Sequence, residues 1–538
     1  MKPSIVRSGR DITAWTVTVL VCVLLMFALL APTDVGPLSP RSFARIPVEM
    51  LVAVPVLLLV SERARRPVAA VLGAALGLVA LVKIADLGFY SALDRAFHPA
   101  YDWHSFGPAV DLLTAEVGLA GAIALSVTAA ALALGVVIAS AAAMVRLTRV
   151  VVRHRTSAAR TVIVLWVVWL GCAVTGLQIA PSQPIAARSA AAFAYDRAHQ
   201  VVADIRDKRE FARDTSVDAF HDVNGDELLT ALRGKDVVVT FVESYGRVAV
   251  EHPDIAPRIS AALDNGTRTL RTAGFTARSA YLTSPTVGGV SWLAHATLQS
   301  GLWVDNQLRY DTTVASDRLT LTAAFNRAGW RTVGVVPANT EDWSEREFYG
   351  FDGYYDSRTL GYRGPRFSFD TIPDQFTLAA FHRHELAGKH RPVMAEIDLT
   401  SSHWPWDQVP RYVPWADLGD GSVLADMPTT VSAPGGARAG YADNIEYTLR
   451  SLLSYVKYHG DDDLVLIVVG DHQPASMVTG EGSGRDVPIS IIAADPAVFD
   501  RMDDWDWENG LRPGPSAPVW PMDDFRDRFL SAFGSPPA

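Results

Sequence analysis

The chain has 538 residues, 49% of them hydrophobic, and 48 Lys and Arg against 58 Asp and Glu give a formal net charge of −10. That length exceeds one compact core, so two or more units are expected. The acidic balance argues against nucleic acid as a partner.

Five long apolar runs fill the first third: Ile12 to Ala31, Ile46 to Val60, Val68 to Ile84, Val117 to Val145 and Thr161 to Ala180. A helix needs about 20 apolar residues to cross roughly 30 Å of hydrocarbon, so five spans are expected, the second only if it continues into its flanks. Basic residues mark alternate connections: Lys2, Arg7 and Arg10 before the first run, Arg63, Arg65 and Arg66 after the second, and Arg146, Arg149, Arg153, Arg155 and Arg160 after the fourth. The other two connections carry only Arg41, Arg45 and Arg95. The positive-inside rule then predicts a multi-pass protein of the cell membrane, with a cytoplasmic N-terminus and everything after Ala180 outside. The first run has the basic start of a signal peptide, but its length and the four runs behind it favour an uncleaved anchor. Cys22 and Cys172 both lie in spans, so the outer part is expected to hold together without a disulfide. Lys83 and Asp86, near the outer end of the third span, are read as interfacial snorkelling residues.

Residues 182–234 are polar and helix-favouring, with apolar positions at loose helical spacing, and are expected to form a linker helix after a membrane domain of residues 1–181. From 235 to 538 the texture changes. "DVVVTFV", "RTVGVV", "VMAEIDL", "DLVLIVV" and "VPISIIA" are strand-length apolar runs separated by amphipathic stretches such as Arg318 to Ala328 and Tyr441 to Tyr458. Strands buried on both faces imply an α/β sandwich with a largely parallel central sheet.

In such sheets ligands collect beyond the carboxyl ends of the strands. There "DVVVTFV" delivers Glu243, "VMAEIDLTSSH" leads to His403, and "DLVLIVVG" delivers Asp471 and His472. Carboxylates and imidazoles at neighbouring strand ends suit a divalent cation of the manganese or zinc kind. In "SPTVGGVSWLAHATLQSG", Ser291 opens an expected helix that stops at Gly301. A hydroxyl at a helix N-terminus sees backbone N–H groups that favour an alkoxide and a phosphate, although Ser291 could equally be a simple N-cap.

The ordered set of Glu243, a helix-opening hydroxyl, "SSHWPW" and "GDHQP" resembles the alkaline phosphatase and sulfatase superfamily. With spans ahead of the domain it is most similar to the membrane-anchored lipoteichoic acid synthase and phosphoglycerol transferase group, with lipid A phosphoethanolamine transferases as more distant cousins. The resemblance implies that Glu243, Ser291, Asp471 and His472 ligate one divalent metal, with manganese favoured over zinc and magnesium, and that Ser291 is the catalytic nucleophile. It further implies that His403, Trp343 and Arg346 hold a phospholipid head group, that the donor is a membrane phospholipid, and that the acceptor is an envelope glycolipid or polymer. Departures are visible: lipoteichoic acid synthases use threonine, Arg346 stands three residues past Trp343 where the family has two, and Val336 replaces an upstream histidine. Sulfatases need Pro and Arg two and four residues after the nucleophile to make formylglycine, and "SWLAH" has Leu293 and His295 there. Thr286 is the alternative hydroxyl, and His295, four residues after Ser291, shares its helix face as either a packed or a catalytic residue. A phosphodiesterase, phosphatase or sulfatase-type hydrolase, and a non-catalytic envelope-binding module, are the competing readings.

Overall fold

The structure is a computed structural model that describes residues 9–31, 43, 45–93, 95–180, 183–187, 189–367, 371–426, 430–431, 436–480 and 482–535. Lys2, Arg7, Arg41 and the expected boundary at 181–182 lie outside the described residues. The chain forms two compact units that divide at Arg206 and Asp207.

The first unit is helical: α1 (Gly9–Leu30), α2 (Val48–Leu59), α3 (Glu62–Leu93), α4 (Phe106–Arg153), α5 (Arg155–Thr175) and α6 (Ser189–Asp214), the last of which carries the division between units. Among the described residues, three helical stretches are long and apolar enough to cross a membrane, Glu62–Tyr90, Val117–Arg153 and Arg155–Thr175, where five were expected. The other two apolar stretches, Thr16–Leu30 and Val48–Leu59, are shorter. At 1.5 Å per residue the 12 residues of α2 reach only about 18 Å of the roughly 30 Å required. α2 stops at Val60, and Arg63, Arg65 and Arg66 fall in the opening turns of α3.

Lys83 and Asp86 do not snorkel. Lys83 is 2% exposed, and its ammonium donates to the carbonyls of Ala28, Leu29 and Ala31 at 3.3, 3.0 and 3.0 Å. It thereby satisfies acceptors that the end of α1 leaves unpaired. Asp86, fully buried, accepts from Arg197 Nη2 at 2.7 Å and from the Phe97 backbone at 2.9 Å. Lys83→Met keeps the stem and removes the cap, so it should cost about 1.5–3 kcal/mol. Thermal unfolding of the full chain in detergent would register this, and an unchanged midpoint would mean that the cap contributes nothing.

The second unit is built on a nine-stranded mixed sheet. Its strands are β1 (Asp236–Val242), β2 (Thr276–Thr283), β3 (Arg331–Val336), β4 (Gly353–Asp356), β5 (Val393–Leu399), β6 (Leu464–Gly470), β7 (Asp486–Ala493), β8 (Glu508–Asn509) and β9 (Val519–Pro521). The order is β8-β2-β7-β6-β1-β5-β3-β4, with β9 also pairing β2. All five apolar runs are strands, and β4, β3, β5, β1 and β6 run parallel. The fifth run, β7, is antiparallel to both of its neighbours, which corrects the expectation for that edge. Parallel return needs a crossover, commonly a helix, and among the described residues of 471–485 there is only the four-residue helix Ser476–Thr479. The strand β2 escapes a reading based on apolar runs because Arg278 and Ser279 interrupt it.

Side chains alternate across the sheet, so β1 and β6 need cover on both faces. Val238, Val242, Leu466 and Val468 pack under α7 (Ala256–Thr272) and α10 (Ala437–His459) on one face. Val237, Val239, Phe241, Val465 and Ile467 pack on the other, against α8 (Ser291–Ser300), α9 (Leu321–Arg327) and α11 (Asp524–Phe533). Leu228, Leu229 and Leu232, expected within a solvated linker, are buried in that second layer.

Candidate active site

Because five neighbouring strands run parallel, their carboxyl ends meet along one edge, and the sequence loads that edge with polar residues. Val242 pairs with Gly470 and with Leu399, so the next residues in each strand, Glu243, Asp471 and Thr400, leave the sheet side by side. The turns are held by buried hydrogen bonds. Asp471 Oδ1 accepts from the Ser244 and His472 amides at 2.8 and 2.7 Å. Ser402 Oγ donates to the Glu243 carbonyl at 2.6 Å, and Tyr441 donates to the Ser244 carbonyl at 2.8 Å.

Ser291 reaches the same point from another direction. Gly288, Gly289 and Val290 have φ of +75°, +151° and +58°, a run in the left-handed region that turns the chain sharply into α8. Val290 is β-branched, so this conformation is strained there. The turn is tied down by the Gly288 amide donating to the Gln473 carbonyl at 2.8 Å. Ser291 Oγ then lies 3.1 Å from Glu243 Oε2, to which it donates, and 3.1 Å from His472 Nε2. His472 Nε2 is 3.5 Å from both Glu243 Oε1 and Asp471 Oδ2.

A donor atom from each of Glu243, Asp471 and His472 lies within 4.8 Å of the others. His472 Nδ1 faces the Gln473 carbonyl at 2.9 Å, and a carbonyl can only accept, so Nδ1 carries a proton and Nε2 turns its lone pair into the cluster. Burial pushes the Asp471 carboxyl up, and the neighbouring Glu243 carboxylate adds to this, to about 7. Burial also pushes Glu243 up, but His472, His403 and the Ser244 hydroxyl more than reverse it, to about 2. Burial lowers His472 and the two carboxylates raise it. Two buried carboxylates, an imidazole lone pair and a hydroxyl form a donor set that fits one divalent cation.

One turn along α8, a second cluster backs the first. His295 Nδ1 is 3.1 Å from Glu396 Oε1 and 3.5 Å from Asp398 Oδ1, and its ring stacks on Phe241 with centroids 3.8 Å apart. Gln299 Nε2 donates to Glu396 Oε2. Burial lowers the imidazole, but Asp398 and Glu396 raise it to about 9, while burial pushes Asp398 up to about 7 against the pull of His295. His295 is thus both packed and paired. Reading for strand ends missed Glu396 and Asp398; the available signal was two acids at i and i+2, on one face of an otherwise apolar strand.

No family model matches the chain, and none of the curated proteins matches it either. Among solved structures, the integral membrane lipooligosaccharide phosphoethanolamine transferase A of Neisseria meningitidis is 13% identical over 96% of this chain and 95% of its own, with a TM-score of 0.47. The lipoteichoic acid synthase LtaP of Listeria monocytogenes is 14% identical over 61% and 78%, with a TM-score of 0.38. The phosphoglycerol transferase GacH of Streptococcus pyogenes, solved with sn-glycerol-1-phosphate, is 11% identical over 62% and 82%, with a TM-score of 0.36. A protein in the alkaline phosphatase superfamily from Vibrio parahaemolyticus is 14% identical over 61% and 75%, with a TM-score of 0.37. Likeness this distant leaves the chemistry to be argued from the residues themselves.

The remaining expected site residues are placed as follows. Thr286 Oγ1 donates to the Gly289 carbonyl at 2.8 Å and so braces the turn before Ser291. His403 follows β5 and is near enough to Glu243 to lower its pKa; its Nδ1 bonds the Trp404 carbonyl at 2.7 Å. Trp343 sits in the β3–β4 connection with its ring 4.7, 6.4 and 6.1 Å from those of Tyr349, Phe351 and Tyr354. Arg346 lies 5.7 Å over the Tyr354 ring and 3.9 Å from Asp342.

Proposed function

We propose that this protein is a metal-dependent phosphotransferase that moves a phospho-head-group, glycerol phosphate from phosphatidylglycerol, to an envelope glycolipid or polymer through a phosphoserine at Ser291. The observation that carries this reading is Ser291 Oγ at 3.1 Å from both Glu243 and His472, inside a buried set of cation ligands. Glu243, Asp471, His472 and Ser291 would hold one divalent ion, with manganese favoured and zinc or magnesium as alternatives. When bound, the ion offsets the paired carboxylates, lowers the pKa of the Ser291 hydroxyl and counters the charge developing on phosphate.

Ser291 gives up its proton as its oxygen bonds phosphorus, and the bond from phosphorus to the diacylglycerol oxygen breaks. Diacylglycerol leaves as the alcohol, taking up one proton. The strained turn at Gly288–Val290 aims the hydroxyl, and the amides opening α8 favour the anion next to it. An acceptor hydroxyl then attacks the same phosphorus and restores Ser291. His403, Trp343 and Arg346 are assigned to the head group. We further assign a cytoplasmic N-terminus and an extracytoplasmic catalytic domain, which keeps a lipid donor within reach of a site that faces outward.

The test is to incubate the full chain in detergent with manganese and fluorescent phosphatidylglycerol or phosphatidylethanolamine, following diacylglycerol. Release from phosphatidylglycerol that stops with chelator and resumes with manganese is expected. Preference for the ethanolamine lipid would change the donor, free glycerol phosphate without acceptor product would make the protein a hydrolase, and no release with manganese, zinc or magnesium would sink the reading.

A further inference from the structure

The first turns of α3 and the last turns of α4 flank an open cleft of about 480 Å³ whose lining includes Arg65 and the exposed Arg66, Arg149 and Arg153 with a single carboxylate, Glu62. It arises from how the two helices cross. A Cβ at Gly73 would lie 2.5 Å from the Ser140 carbonyl oxygen, and one at Gly77 2.9 Å from Val137 Cα, so the backbones touch there as small-residue crossings allow. Arg66 is seven residues before Gly73, about 10 Å along the helix axis, and the space between the two chains opens at that end.

The charge inside is unbalanced. Four arginines less one glutamate leave a formal charge of +3 from the lining. Arg65 is fixed, its Nε and Nη2 each donating at 3.0 Å to the carbonyls of Leu57 and Val60 at the end of α2. Arg66, Arg149 and Arg153 pair with no carboxylate among the described residues, and Glu62, one turn before Arg66, makes no ion pair with it. Guanidinium groups gathered without a counter-ion call for an anion that offers several oxygens to planar donors. Val145 and Val152 complete the wall with apolar surface, and α4 is mostly unburied along its apolar length. A phosphate joined to hydrocarbon matches both halves, and the volume is that of a small-molecule site.

We infer that this cavity is a binding site for the phosphate of an anionic phospholipid, independent of the Ser291 site, with which it shares no residue. Basic pockets between spanning helices recognise such head groups elsewhere. The lipid's phosphate supplies the missing counter-ion while its acyl chains lie along α3 and α4.

The test is binding to the full chain in dodecyl maltoside and chelator, by thermophoresis, with phosphatidylglycerol, phosphatidylcholine or inorganic phosphate as the titrant. Arg149→Gln with Arg153→Gln, and separately Arg66→Gln, are compared with Arg155→Gln, a nearby arginine outside the cavity. With about fivefold lost per cavity charge, the double variant should bind phosphatidylglycerol on the order of thirtyfold more weakly and Arg155→Gln should match wild type. Thermal unfolding of each variant in the same detergent checks that it is folded. The same loss seen with inorganic phosphate, and no better binding of the lipid, would assign the site to a free anion. Equal losses in Arg155→Gln and the cavity variants, or no loss in either, would overturn the inference.

Discussion

Ser291→Ala should abolish diacylglycerol release, with a fall in kcat of about 10⁴-fold or more, the scale seen when a covalent nucleophile is removed from an otherwise intact site. Alanine takes away the one oxygen that lies 3.1 Å from both Glu243 and His472, while the helix that presents it, capped by backbone geometry at Val290, loses no side-chain cap. Stability should therefore hold while activity goes. The direct readout is the intact mass of acid-quenched enzyme incubated with phosphatidylglycerol. Wild type should gain one phospho-head-group and the variant none. A variant that still releases diacylglycerol at the wild-type rate would remove Ser291 from the mechanism. Thr286 would inherit the role only by giving up its bond to the Gly289 carbonyl.

Which polar residues meet at one sheet edge was more legible in the sequence than the direction of every strand. Glu243, Asp471 and His472 each stand directly behind an apolar run, and a parallel sheet puts such positions together whatever the rest of the fold does. Ser291 was legible because Gly288 and Gly289 announce the turn and Gly301 announces the stop, and α8 runs between them. The direction of β7 was not legible, since an apolar run reads the same both ways and only the short connection from Gly470 to Asp486 decides it. Pairings between distant segments were equally hidden. Nothing local says that Lys83 caps a helix more than 50 residues earlier, or that Glu396 and Asp398 share His295. The membrane count, three among the described residues where five were expected, differs for a related reason: hydropathy finds apolar runs but does not register that α2 ends at Val60 in extended backbone.

The second large effect lies behind α8. Arg526 is fully buried and grips Asp218 with both terminal nitrogens, at 3.0 and 2.9 Å, while Arg318 Nε stands 3.3 Å from the same carboxylate. Asp218 also accepts from the Phe220 and Leu319 amides at 3.0 and 3.1 Å. The cluster closes the far end of α8, where Arg318 Nε donates to the Ser300 carbonyl at 2.8 Å and a Cβ on Gly301 would meet Arg526 Nε at 2.8 Å. Asp218→Ala leaves the buried Arg318 guanidinium without an ion pair among the described residues and Arg526 with only the half-exposed Asp527, so it should cost about 3 kcal/mol. Burial pushes the Asp218 carboxyl up, but pairing with Arg526 pulls it down further, leaving it below the ordinary carboxylate range. A carboxyl depressed in the folded state contributes stability above its unfolded pKa, near 4, and loses it as pH falls through the lower folded value. The stability gap between wild type and Asp218→Ala should therefore be constant from about pH 5 upward and shrink below about pH 4. Unfolding of the full chain by denaturant at pH 7, 5 and 3.5 measures it. A gap that stays the same at acid pH would show that the loss comes from packing rather than from the ion cluster. If the gap closes as expected, Asp218→Ala should also slow Ser291, because the helix that aims the hydroxyl is anchored at its other end by these arginines.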